Sequence, residues 1–199
     1  WHTLSLHDAL PIWRHRYFAN AFLVHQLGQE NGSSVVTEYQ ILRQDVAPET
    51  QSFLAGKGKI PDGIVLKSVP VDVRKSDLEP PRYEQRIVRV WVELEFSRRR
   101  PSDARRLGKL IADWDCRSGH RIALVYPFQD PPGSHYPRIA KALRATLRAV
   151  LQASARPDSA LLAYACSCVD VYLMHLSSGL QLTDTRRIGT LEEVHNHGF

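Results

Sequence analysis

Cysteine is scarce in this chain: three residues, at positions 116, 166 and 168. A sparse, odd-numbered set builds no disulfide framework, and its places within apolar runs predict buried thiols in a reducing compartment. Cys166-Ser167-Cys168 has no second Cys or His cluster at zinc-like spacing, so a structural zinc site is not expected. Long apolar runs are also missing. None approaches the ~20 residues that cross a bilayer, and no stretch has the pattern of a signal peptide. The expected location is the cytoplasm, with no membrane partner. There is no P-loop, no dinucleotide glycine fingerprint and no nucleophile elbow, which removes the commonest nucleotide-binding and hydrolase signatures. Repeats and low-complexity segments are absent too.

What is present is an ordinary globular balance. Of 199 residues, 43% are hydrophobic and 24% charged, enough for one domain with a sizeable core. The formal net charge of +5 leans modestly toward a polyanionic partner. Residues 1–12 are set aside. They lack an initiator Met, and Ser5 to Ile12 resembles a translated sequencing-adapter artefact. His2, His7 and Asp8 therefore carry no argument, and an upstream domain is an open expectation.

Periodicity predicts a helix from Trp13 to Glu30, closed by Asn31-Gly32. Val35 to Arg43 reads as a strand, or as a helix starting near Thr37. Gln44 to Lys59, polar with Pro48, Gly56 and Gly58, reads as a loop. A short strand follows from Ile60 to Lys67, then a proline-marked excursion to Tyr83. Arg86 to Ser97 is the clearest strand. Pro101 opens a helix to about Cys116. Gly119 to Tyr126 reads as a strand and Tyr136 to Ala153 as an amphipathic helix. Ser159 to Cys168 and Val169 to Leu176 read as one or two further strands. The domain is expected over 13–176, with a polar tail over 177–199. Helices interleaved with strands predict an α/β layer architecture with a mixed sheet flanked by helices. Arg86 to Tyr126 is expected to form a parallel crossover.

Two segments carry the chemistry. Pro61-Asp62-Gly63 puts one carboxylate at the start of a strand. Trp91-Val92-Glu93-Leu94-Glu95-Phe96-Ser97-Arg98 alternates strongly. On a strand, Val88, Val90, Val92, Leu94 and Phe96 share one face, and Glu93, Glu95 and Ser97 the other. Two carboxylates two residues apart on one face repel unless solvent, a basic side chain or a cation compensates.

This order of elements and these motifs resemble the PD-(D/E)xK, or restriction-endonuclease-like, superfamily. Within it they are similar to the plasmid replication-relaxation proteins. The resemblance covers roughly Trp13 to Cys168. It implies an αβββαβ core, with Asp62 and Glu93 holding Mg²⁺ (or Mn²⁺ as a substitute) for phosphodiester hydrolysis in DNA. Where the superfamily usually has a Lys, this chain has Glu95, read as a third ligand, a base or a sign of a silent site. Arg98 or Lys109 would then supply the missing cation, and Arg98 would contact phosphate. The resemblance also implies a hydrolase in a plasmid or mobile-element context, an upstream winged helix, and a homodimer as one option. Glu30 is a candidate extra carboxylate.

Competing readings stay open. Asp62 before Gly63 also suits a turn. Glu93 and Glu95 also suit a solvated sheet face beside Arg89, Arg98 and Arg99. Ser97 reads as a turn boundary. Arg98, Arg99, Arg100, Arg105, Arg106 and Lys109 form the expected DNA-contacting cluster. Arg138, Lys141, Arg144 and Arg148 form a second stripe that equally suits a solvated helix face. His195-Asn196-His197 and the trio Asp113, Asp115 and His120 are read as incidental.

Overall fold

A computed structural model describes residues 6–29, 33–74, 80–95, 101–129, 136–154 and 159–196. The elements run α1 (Leu6–Gln29), β1 (Ser34–Thr37), α2 (Glu38–Leu42), α3 (Pro48–Leu54), β2 (Gly63–Asp72), β3 (Tyr83–Leu94), α4 (Pro101–Ala112), a 3-10 turn (Cys116–Ser118), β4 (Arg121–Gln129), α5 (Tyr136–Ala153), α6 (Ser159–Ser167), β5 (Val169–Leu176), β6 (Leu182–Thr190) and α7 (Leu191–Asn196). The six strands form one mixed sheet in chain order, β1 to β6. β1, β2 and β3 pair antiparallel, β3, β4 and β5 pair parallel, and β6 returns antiparallel to β5. The α/β mixed sheet flanked by helices is as the sequence predicts.

The alternation of β3 decides the layers. Val90, Val92 and Leu94 pack with Phe18, Ala19, Phe22 and Leu23 of α1 on one face. Trp91 points to the other face, into a larger core with Leu107, Ile111, Leu143 and Val150 of α4 and α5. That core also takes Ala165 and Cys166 of α6 and Leu191 and Val194 of α7. Gly63 sits where α1 crosses the start of β2: an added Cβ would lie 2.5 Å from Cδ1 of the fully buried Leu23. The close crossing brings α1 down onto the neighbouring Asp62.

Five segments differ from the sequence reading, the first being β2, which starts at Gly63 and runs to Asp72 through the expected proline-marked excursion. Val35 to Arg43 is both of its alternatives in succession. Thr37 ends β1 and caps α2, with Gln40 N–H donating to its Oγ1 and Gln40 Oε1 accepting from its N–H. The expected loop from Gln44 contains α3, which opens on Pro48 at its first turn. Ser159 to Ser167 is helical rather than extended. The expected polar tail supplies β6 and α7, and Thr190 and Glu193 form a reciprocal cap at the start of α7.

The cysteines also differ from expectation. Cys116 and Cys168, read as separate thiols, are joined by a disulfide with Cα atoms 5.9 Å apart. The parallel pairing of β4 with β5 causes this, since it sets the turn before β4 beside the start of β5. Cys166 remains a free thiol, and burial pushes its pKa up to about 11.

Candidate active site

Asp62 stands one residue before β2, and its N–H donates to the Val92 carbonyl at 3.0 Å. This continues the β2–β3 ladder and fixes the side chain at the C-terminal end of β3. There Oδ2 accepts the Leu94 N–H at 2.7 Å, so Asp62 meets β3 between Glu93 and Glu95. Oδ1 meets His15 Nε2 of α1 at 2.9 Å. Burial works against charge on Asp62, but the His15 contact, the Leu94 N–H and the nearby Lys59 outweigh it and hold the carboxyl below its ordinary range. The same hydrogen bond raises the pKa of His15 against the cost of its burial.

Asp62 opens into a cavity of about 320 Å³ between α1 and α2, with His15, Arg16 and Asn20 on one side and Glu38 and Tyr39 on the other. Arg16 Nε donates to Glu38 at 3.0 Å across its mouth.

Glu93 is 1% exposed, on the Trp91 face of β3. Trp91 Nε1–H donates to its Oε1 at 2.6 Å. Lys59 Nζ, itself partly exposed, donates to its Oε2 as an ion pair. Glu95 follows the last residue of β3, half-buried, with its N–H on the Val125 carbonyl at 2.7 Å. The face carrying Glu93 is therefore not a solvated one, and its compensating charge is a lysine.

The expected cations fare differently. Lys109 lies on the exposed side of α4 and pairs with Asp113 at 2.7 Å, one turn along the helix. Arg105 and Arg106 are exposed on the same helix. Arg98, Arg99, Arg100 and Ser97 lie outside the described residues, as does Glu30. Asp115 caps the 3-10 turn through the Arg117 N–H. Sequence reasoning missed His15, Glu38 and Lys59. His15 and Glu38 left no local signal. Lys59 left one, its place three residues before Asp62.

Carboxylate oxygens suit Mg²⁺, which commonly takes one or two of them and keeps water for the rest. Here both oxygens of Asp62 and both of Glu93 already accept from protein donors. Among the described residues, no three His, Cys, Asp or Glu side chains form a metal-holding group. Each of these oxygens keeps a second lone pair, so a divalent ion would share the carboxylates with His15 and Lys59. In comparisons with known protein families, curated proteins and solved structures, nothing matches the chain.

Proposed function

We propose that this chain is a PD-(D/E)xK-like, DNA-acting domain of a plasmid or mobile-element protein, and that it hydrolyses phosphodiester bonds at the Asp62–Glu93 end of the sheet. One observation carries the reading. A carboxylate at the head of β2 and another near the end of β3 are brought to one end of an antiparallel pair, with Lys59 ion-paired to the second. The element order through β4 supports the αβββαβ core that the two motifs imply. Mg²⁺ held by Asp62 and Glu93, with Glu95 beside them, would relieve phosphate charge and activate water.

The chain's own residues have separate tasks. Lys59 supplies the cation that the Glu95 position lacks, reaching Glu93 from the loop before β2. His15 holds Asp62 ionised and oriented. Arg16 and Tyr39 line the opening over Asp62 through which a phosphate would approach. Arg105, Arg106 and Lys109, with Arg98 to Arg100, offer backbone contacts that carry no sequence information.

The lysine ion pair already on the buried Glu93 favours a second reading, a catalytically silent nuclease fold that binds DNA as an assembly module. Fluorescence anisotropy with labelled duplex separates the two when read beside a cleavage assay. Both readings give DNA affinity that survives chelation and falls steeply with salt. Only the enzyme reading adds metal-dependent cleavage that Asp62→Ala abolishes while sparing binding. Absence of DNA affinity at low salt contradicts both.

A further inference from the structure

A second cavity, of about 400 Å³, lies on the far side of the sheet from the Asp62 opening and has no part in the chemistry above. Its floor is aromatic. Phe53 packs edge-on against Trp114 at 5.8 Å and against His120 at 5.1 Å. Its cations lie over those rings. Lys57 Nζ is 4.7 Å from the Trp114 centroid, and the Arg89 guanidinium is 5.9 Å from that of Phe53. Cations over ring faces are held in place without being neutralised.

Three facts point to an anionic occupant. First, among the described residues neither Lys57 nor Arg89 has a carboxylate partner, although Glu49 and Asp115 also line the cavity. Second, Arg89 Nε is buried with no hydrogen-bond partner among the described residues. Buried donors of this kind cost free energy until an acceptor arrives. Third, the Arg89 backbone N–H donates to His120 Nδ1 at 3.2 Å, which leaves Nε2 as the proton-bearing donor of the neutral ring. Burial, with Arg89, Arg86 and Lys57 around it, lowers the pKa of His120 against the opposing pull of Asp115.

We propose that this cavity is a phosphate-binding site, with Lys57, Arg89 and His120 as its donors. The covered ring faces leave no platform for base stacking, so the site takes a phosphate rather than a base. Two sources have that chemistry: a phosphodiester of a polynucleotide strand and the phosphate of a free nucleotide. The fold favours the strand. Lys57 also lines a neighbouring cavity of about 270 Å³ with Arg106, Lys109 and Asp113, where Asp113 pairs with Lys109 and Arg106 extends the basic path to α4. Arg89 shares the face of β3 with Glu93, four residues or about 13 Å away. The strand assignment rests on the DNA-acting reading, whereas the phosphate site itself does not.

The test uses the full chain and the folded variants Lys57→Gln and Arg89→Gln, each checked by circular dichroism and urea unfolding. Binding of a labelled oligonucleotide is read by anisotropy across a salt series, and binding of a deoxynucleoside monophosphate by calorimetry. The expected result is three- to tenfold weaker oligonucleotide binding per substitution, with a salt slope lower by about one. Loss confined to the monophosphate supports the phosphate site with a free nucleotide as its source. Folded variants that bind both probes like the parent chain overturn the proposal, whatever the outcome for cleavage.

Discussion

Lys59 is the residue on which the candidate site turns. Glu93 is buried almost completely, and a carboxylate there is tolerable because Lys59 and the Trp91 indole satisfy both its oxygens. Removing one partner of such a pair costs more than the pair contributes, because the other charge stays buried. Lys59→Met is expected to destabilise the chain by about 3 kcal/mol, measured by urea unfolding. In a Glu93→Gln background the same substitution should cost much less. Equal costs in both backgrounds would mean that Lys59 does not serve Glu93.

The His15–Asp62 pair gives a pH signature in metal-free buffer. Asp62 is lowered from 3.8, so its contribution is present above that pH and is lost as pH falls through the lower folded value. His15 is raised from 6.5, so its contribution is full below that pH and is lost as pH rises through the higher folded value. The pair therefore stabilises most between 3.8 and 6.5. Asp62→Asn should flatten both limbs of the urea midpoint plotted against pH. An unchanged profile would dissolve the pair.

At the scale of elements, β3 was legible because its side chains alternate strongly from Val88 to Leu94, although burial covers both faces at its end. Its apolar face meets α1 and its Trp91 face meets α4 and α5. α6 was misread because a short, fully apolar run has no period to separate strand from helix. β6 and α7 were hidden by polar residues, since β6 exposes Thr183, Asp184, Arg186 and Arg187 in adjacent pairs and α7 puts Leu191 and Val194 into the main core. The Thr190-to-Glu193 spacing was the missed signal, as it is a capping box in sequence.

Asp62 and Glu93 could be read from their motifs. His15 and Lys59 reach them across 47 and 34 residues, through packing that no local pattern encodes. The close approach of α4 to α5 is also a tertiary fact. A Cβ on Gly108 of α4 would meet backbone atoms of Ala149 on α5 at 2.4 and 2.5 Å. Gly108→Ala, a favourable change in an isolated helix, should instead destabilise by about 2 kcal/mol. A neutral or stabilising result in urea would show that α4 and α5 part easily.

Across the whole molecule, the parallel β4–β5 pair is the axis on which distant parts are fastened. Asp170 of β5 takes Arg121 of β4 and Arg187 of β6, and Cys116 is bridged to Cys168 across 52 residues. Closing a loop of that length is worth about 4 kcal/mol in the chain-entropy account. Reduction, or Cys116→Ser, should lower the melting temperature while leaving the far-UV spectrum of the folded state intact. An unchanged melting temperature would mean the bridge adds nothing.

No described helix is long and apolar enough to cross a membrane. The sheet instead presents two polar features on its opposite faces, the Asp62 opening and the Arg89 cavity. The first is the centre of the proposed chemistry. Its most direct test is nicking of supercoiled plasmid by the purified chain in Mg²⁺, Mn²⁺ or EDTA, beside Asp62→Ala and Glu93→Ala. Cleavage that needs the metal and disappears in both variants is the expected result. Intact plasmid in every metal, from variants and parent that are folded and still bind DNA, would contradict the enzyme and leave the silent DNA-binding fold.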